Sequence, residues 1–458
     1  MKVLLVTPPP PLRERYFATP PLGLMYLASA LRFRGHHVKI LDSFSFGREI
    51  ESLSNVLKRE IFDIVGISGM SLQHNTILKT AEICKKIDPR IVVAVGGPHA
   101  SALPSLLLED DNIDFVFRGE SDYAFPSFIH AINDPNAWQN IQGLCFKTDS
   151  GFHISPPAIV ADVDSLPFPA WDLIDVQKYV GYHHGFFYER EPIGEIMTSR
   201  GCPYPCTFCA AHVVHSKMWR PHSPERVISD IDRLVKEEKI QELHIEDDNF
   251  TLDIKRAKKI FEEIIARQYN LKINFPNGIR IDRLDGELLE LMRESGVYSV
   301  TFGVESGSPR ILERVKKNIT LNFIEKQVKK IKEFGFFTQA FFILGFPYEE
   351  KKDVEKTIEF ALKLDLDAAF FGTYVPLPGS EDFEELVKLG KARLDRMDWD
   401  HMFSTQAQDF SLYLSPKELE SLQRLATRRF YLRPKILLKS LFRLRGFAHF
   451  KSLLARFT

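Results

Sequence analysis

Between residues 190 and 390 the chain alternates short apolar runs with amphipathic stretches, and each apolar run stops at a polar or glycine-rich segment. The runs are Gly194–Thr198, Glu242–Ile245, Lys272–Phe275, Val297–Phe302, Thr338–Leu344 and Ala368–Val375. Between them lie helical patterns at Glu225–Lys236 (Ser223 as N-cap, Pro224 first), Ile254–Arg267, Gly286–Ser295, Asn322–Phe334 and Lys352–Leu364. Buried parallel strands read as continuous apolar runs and need a crossover, usually a helix, to join them. Six such units in series predict a partial (β/α)6 barrel of the TIM type over residues 190–385. Barrels of this kind place their chemistry at the carboxyl ends of the strands. One acidic strand end alone reads more readily as a helix cap. Six polar ends in register are a stronger signal.

The first strand delivers Gly201-Cys202-Pro203-Tyr204-Pro205-Cys206-Thr207-Phe208-Cys209, which holds three of the five cysteines in a CxxxCxxC spacing. Three thiolates on one loop, with no fourth cysteine nearby, suit an iron–sulfur cluster that keeps one iron open to a ligand. Two other readings of the same residues stand beside it. The loop begins a zinc site with His212 or His215 as fourth ligand, or the thiols are unrelated core residues. Cys84 and Cys145 lie far apart and read as core thiols.

Residues 1–150 repeat the alternation on a smaller scale. Strands are expected at Lys2–Thr7, His37–Leu41, Ile64–Ser68, Ile91–Val95 and Phe115–Phe117, with helices at Gly23–Arg34, Ile50–Arg59 and Asn75–Ile87. This predicts a Rossmann-like parallel sheet covered on both faces. Ligands of such sheets sit at the carboxyl ends of the strands. The candidates there are Pro9, Ser68, Gly69, Met70, Ser71, Gly96, Gly97, His99, Gly119 and Glu120. No GxGxxG follows the first strand, which argues against a dinucleotide. There is also no DxHxxG. His99 reads more readily as a loop histidine bonded to its own turn than as a ligand.

A proline-rich, acidic linker is expected over 151–189, and a helical region over 386–458. From Ser415 the sequence turns basic and amphipathic, with Lys417, Arg424, Arg428, Arg429, Arg433, Lys435, Lys439 and Arg443 among leucines and phenylalanines. It reads as a helical cap with a solvated basic face, or as a helix for an anionic membrane surface. At 458 residues, two or three domains are expected. A net charge of −1 gives no basic field for nucleic acid. The N-terminal apolar run is too short for a signal peptide, so a cytoplasmic protein is expected.

The cysteine loop, with Phe208 just before its last cysteine, resembles that of the radical S-adenosylmethionine (SAM) superfamily. Asp247-Asp248-Asn249-Phe250, Gly303–Gly307, Gly345-Phe346-Pro347 and Pro376–Gly379 resemble its strand-end motifs. The N-terminal sheet, through Gly23-Leu24, Tyr26-Leu27-Ala28 and Gly96–Ala100, resembles the cobalamin-binding domain fused to one branch, the class B methyltransferase-like enzymes. The likeness covers roughly residues 1–385. It implies that Cys202, Cys206 and Cys209 hold a [4Fe–4S] cluster whose open iron chelates SAM. It places Phe208 and Gly345 near the adenine, Glu305 at the ribose hydroxyls, Ser306 among the SAM contacts, and Asp247, Asp248 and Asn249 near the cluster or the methionine amine. Arg280 would meet the methionine carboxylate or pair with a neighbouring strand. Glu349 sits one residue late for the family's GxIxGxxE and is not expected to touch SAM. Cobalamin would be bound without a protein histidine on cobalt.

The implied function is methylation of an unactivated carbon of a small molecule, lipid-like if the tail meets a membrane. SAM cleavage would give a 5′-deoxyadenosyl radical, and cobalamin would carry the methyl group. Flavodoxin or ferredoxin is the implied electron donor. A non-methylating cyclisation, ring contraction or oxidation with the same cofactors is the runner-up, and a zinc-stabilised cobalamin sensor a distant third.

Overall fold

The computed structural model describes residues 1–11, 19–46, 50–179 and 188–437. Lys439, Arg443 and the rest of the basic tail beyond them lie outside these. The first sheet contains β1 (Lys2–Thr7), β2 (His37–Asp42), β3 (Ile64–Ser68), β4 (Val92–Gly96), β5 (Phe115–Phe117), β6 (Leu144–Thr148) and β7 (Gly151–His153). Their order is β2-β1-β3-β4-β5-β6-β7. The first five strands are parallel, as the apolar runs predict. The sheet then continues as an antiparallel hairpin, β6–β7, which the sequence reading does not anticipate. Period-two alternation sorts the two faces: Leu4 and Val6 enter one core, Val3 and Leu5 the other. The strand order reverses beside β1, so the crevice at the ends of β1 and β3 is the sheet's natural ligand site.

The barrel consists of β8 (Ile193–Ile196), a short pair β9 (Ser199–Arg200) and β10 (Arg220–Pro221), then β11 (Glu242–Ile245), β12 (Lys272–Asn274), β13 (Ser299–Glu305), β14 (Phe337–Leu344) and β15 (Ala368–Thr373). Strands β8, β11 and β12 form one parallel sheet, and β13, β14 and β15 another. A bridge between Ile273 and Val297 joins the two. Leu243, Ile245 and Ile273 face outward against Ile228, Ile260 and Leu289 of the surrounding helices. Each such burial contributes about 1.5–3 kcal/mol. The helix starts are set by side-chain caps: Ser223, Asp253, Asp285, Thr320 and Ser380 accept from the backbone N–H three residues on.

A C-terminal helix, Pro416–Tyr431, opens with a Ser415–Glu418 capping box. Its Leu419, Leu422, Ala426 and Phe430 pack into the barrel core. Gln423 Nε2 donates to the Phe371 carbonyl (2.7 Å) and Tyr431 Oη to that of Ala369 (2.9 Å). This part of the basic region is therefore a cap on the β15 side of the barrel. Among the described residues, no helix is long and apolar enough to cross a membrane.

Candidate functional site

The short pair β9–β10 closes the base of the cysteine loop. Gly201 begins it at φ +88°, and an added Cβ there would lie 2.3 Å from the Met218 carbonyl oxygen. The loop is thus pinned where it starts, and only glycine fits that close approach. Cys202, Cys206 and Cys209 are all free and partly exposed. Burial pushes the Cys209 thiol up to about 11, against a backbone N–H from Ala211, and Asp248, Cys206 and Cys202 push the same way. As thiolates, the three would need a cationic centre. A single tetrahedral zinc, with Zn–S of about 2.3 Å, would draw its sulfurs to about 3.8 Å of one another. Among the described residues, the trio of candidate ligand atoms that closes within 4.8 Å is Glu195, His244 and Glu246, not the cysteines. Three cysteines on one loop suit a cluster, which spreads its thiolates over separate irons. His215, one of the two histidines weighed for zinc, instead meets Glu120 through Nδ1 (2.9 Å).

The strand ends divide into groups that face the site and groups that build it. Asp248 lines the cavity described below, and after burial its charge helps raise the Cys202 and Cys209 thiols. Asp247 is turned inward: it accepts from the Thr198 N–H and hydroxyl and the Ser199 hydroxyl (2.5, 2.7 and 2.5 Å), stitching β8 to β11. Asn249 is 1% exposed and its side-chain amide has no hydrogen-bond partner among the described residues. Arg280 lies 3.6 Å over the Tyr204 ring and forks onto Asp282 (2.8 and 3.2 Å).

Glu305 sits at a β-bulge with φ +66°, a geometry that re-aims a side chain. It accepts from Lys317 Nζ at 2.7 Å. Gly303 makes room for that carboxylate, since a Cβ there would lie 2.0 Å from Glu305 Oε1. Ser306 is used in the turn, bonding Thr357 Oγ1 (3.0 Å) and the Ser308 N–H (3.1 Å). Phe208 meets Phe346 edge to face at 5.7 Å.

Gly345 departs from the expected role. Its open side is filled by Leu419 of the C-terminal helix, 2.6 Å from where a Cβ would stand. Its N–H donates to Glu349 Oε2 (2.6 Å), as does that of Phe346 (3.2 Å). Glu349 is therefore the carboxylate that shapes this turn. Burial, against those two N–H groups, raises it to about 8. A carboxyl raised in the folded state stabilises fully below its unfolded value of 4.5, and that stability is lost as pH rises through about 8. Glu349→Gln keeps the acceptor without the charge. Between pH 6 and 7, wild type should lose about 1.3 kcal/mol more than the variant in chemical denaturation.

On the sheet side, Ser68, Met70, Ser71, Gly96, Gly97, Gly119 and Glu120 line one cavity of about 570 Å³. The barrel supplies its other wall through Arg200, His215, Asp248 and Leu377. Gly97–Ala102 is a short helix rather than an open loop. Pro9, Gly69 and His99 are not among the lining residues. The carbonyls of Pro9 and Gly69 accept from Thr76 Oγ1 (3.0 Å) and the His99 N–H (3.2 Å). His99 is fully buried, with His74 Nδ1 at 2.9 Å, Ser71 Oγ at 3.1 Å and the Trp399 ring at 5.3 Å. Burial, then the neighbouring His74, lowers it to about 3, so it is a neutral core residue.

Glu120 lies at the seam of the two domains. Arg220 donates to both its oxygens (2.7 and 2.8 Å), the Val160 N–H reaches it at 2.6 Å, and Arg200 is 3.7 Å away. Sequence reasoning gave no role to Arg200 or Arg220. Nothing local marks a pair separated by 100 residues.

Two family descriptions match the chain: a B12 binding domain over residues 11–129 and the radical SAM superfamily over 196–361. An uncharacterized methyltransferase of Pyrococcus horikoshii is 36% identical across 98% of this chain and 96% of its own. Cytidylyl-2-hydroxyethylphosphonate methyltransferase of Streptomyces wedmorensis is 30% identical across 85% of this chain and 82% of its own. Among solved structures, the cobalamin-dependent SAM radical enzyme OxsB shares the fold with a TM-score of 0.76 and 18% identity, over 99% of this chain and 70% of its own. The chain belongs to the radical SAM superfamily, in its cobalamin-binding, methyltransferase-like branch.

Proposed function

We propose that this enzyme transfers a methyl group to an unactivated carbon of a small molecule. The observation that carries the reading is the shared cavity. The glycine-rich ends of β3, β4 and β5 line it together with Asp248, whose charge reaches the cysteine loop, and this supports a reading in which the two cofactors meet in one space. Bound there, the cluster, SAM and cobalamin supply reductive SAM cleavage and methyl carriage. Cys202, Cys206 and Cys209 hold the cluster, and Asp248 presents negative charge toward the methionine amine. Glu305, steadied by Lys317, offers acceptors to vicinal hydroxyls. Met70, Leu377 and Met402 give the cavity an apolar wall that keeps water from reactive carbon and suits a substrate with a lipid-like face. A flavodoxin or ferredoxin is the electron donor that fits such a centre.

The test is anaerobic turnover of reconstituted protein with a strong reductant, scored for both 5′-deoxyadenosine and S-adenosylhomocysteine. Methyl transfer requires both products. Deoxyadenosine alone, in the presence of a turned-over substrate, moves the reading to the non-methylating chemistry. Glu305→Gln is expected to raise the KM for SAM about tenfold, the loss of roughly one charge-assisted hydrogen bond, with iron content unchanged.

A further inference from the structure

Inside the barrel, Glu195 of β8 and His244 of β11 are side-by-side partners in the parallel ladder. Glu246 follows two residues later, on the same side of the chain. Leu243 and Ile245 point the other way, into the helix-facing core. One candidate ligand atom from each of Glu195, His244 and Glu246 lies within 4.8 Å of the others. Glu195 is 2% exposed, and its Oε2 has no hydrogen-bond partner among the described residues.

The surrounding groups hold this trio in one orientation. His244 Nε2 donates to Glu242 Oε1 (2.9 Å), which also accepts from Tyr298 Oη (2.7 Å). Glu242 Oε2 accepts from the N–H groups of Glu189 and Arg190 (2.6 and 2.7 Å). With Nε2 as donor, Nδ1 is the basic nitrogen of the ring. A carboxylate behind a histidine is what fixes metal-ligating imidazoles. Asn277 Nδ2 donates to Glu246 Oε2 (3.1 Å) and holds the second carboxylate.

We propose that Glu195, His244 and Glu246 form a divalent metal site inside the barrel, separate from the cysteine loop. One imidazole and two carboxylates suit the borderline ion Zn²⁺, and also the harder Mn²⁺, better than Cu⁺. Three protein ligands leave a position open for water or a substrate oxygen. The proposal does not depend on whether the enzyme methylates.

Mn²⁺ is the probe, titrated anaerobically into the cluster-loaded enzyme and read by electron paramagnetic resonance. One bound Mn²⁺ per chain, displaced by Zn²⁺, is expected. Glu195→Gln keeps the shape of the side chain but removes the carboxylate that a metal would bind, and should weaken Mn²⁺ binding by at least about tenfold. Glu246→Gln is the second variant and should do the same. Cys206→Ala should bind Mn²⁺ as wild type does. No bound Mn²⁺, equal binding by wild type and both glutamine variants, or loss of the site in Cys206→Ala would each overturn the proposal. So would a Glu195→Gln variant that gains stability while wild type gains none from Mn²⁺, since the trio would then be sharing a proton.

Discussion

Cys206→Ala is expected to strip the cysteine loop of its cluster and abolish SAM cleavage while leaving the fold in place. Iron and acid-labile sulfide should fall from about four of each per chain to near zero. Deoxyadenosine formation should fall to background, a loss on the order of 10⁶-fold, the low end of what enzymes add to a reaction. The fold should survive because the loop is closed by groups other than its cysteines: the β9–β10 pair, Gly201 against Met218, and the Thr207 N–H on the Val315 carbonyl (3.2 Å). Cys206 is the telling position. After burial, the charges bearing most on its thiol are Lys317, Glu305 and Arg280, so it links the cluster to the groups assigned to SAM. Unchanged circular dichroism with lost iron supports this account. Retained iron and sulfide in the variant would refute it. One zinc and no sulfide in wild type would return the loop to the zinc reading.

Some of this site could be read from the sequence because the information is local. The barrel strands are continuous apolar runs, and their helices begin at cap residues such as Asp253 and Asp285 that are recognisable by type and position. The loop that holds Cys202, Cys206 and Cys209 needs only its spacing. What the sequence hid is set by distant partners. Asp247 and Asp248 are adjacent and chemically identical, yet one ties β8 to β11 and the other borders the cavity. Strand-end geometry decides between them. Gly345 reads as an opening for a ligand, and only the return of the C-terminal helix shows that Leu419 fills it. The β6–β7 hairpin is short and half exposed, so it carries little apolar signal. The basic residues from Lys417 to Lys435 read either as a helical cap or as a membrane-surface helix, and sequence alone does not choose between them. Their helix spends its apolar face on the barrel, although Leu425 and Leu432 remain exposed.

Arg220→Met should loosen the seam between the two domains and release cobalamin without disturbing the cluster. Arg220 and Glu120 are 5% and 1% exposed at their side chains, and their paired hydrogen bonds form the centre of the seam. Breaking one partner of a buried pair costs about 3–5 kcal/mol, because the other charge stays buried. The same magnitude follows from Glu120 itself. Burial acts to raise its carboxyl, but hydrogen bonds from His215 and Arg220 and the charge of Arg200 outweigh it and bring it down to about 2. A carboxyl depressed from 4.5 to about 2 contributes about 3 kcal/mol. That contribution is complete above pH 4.5 and is lost as pH falls through about 2. In wild type the seam should therefore weaken between these values, and in Arg220→Met the acid dependence should flatten. Glu120, Arg200 and His215 all line the cavity, so a loosened seam widens the space proposed for the corrin. Gel filtration of the reconstituted variant should separate cobalamin from protein while iron stays at about four per chain. Limited proteolysis should cut near Val160, whose N–H and carbonyl both enter this network. In the double variant Glu120→Gln/Arg220→Met, the cost should be less than the sum of the single costs by about 0.5–3 kcal/mol. Additive costs, or full cobalamin retention by Arg220→Met, would show that the domains are held together elsewhere.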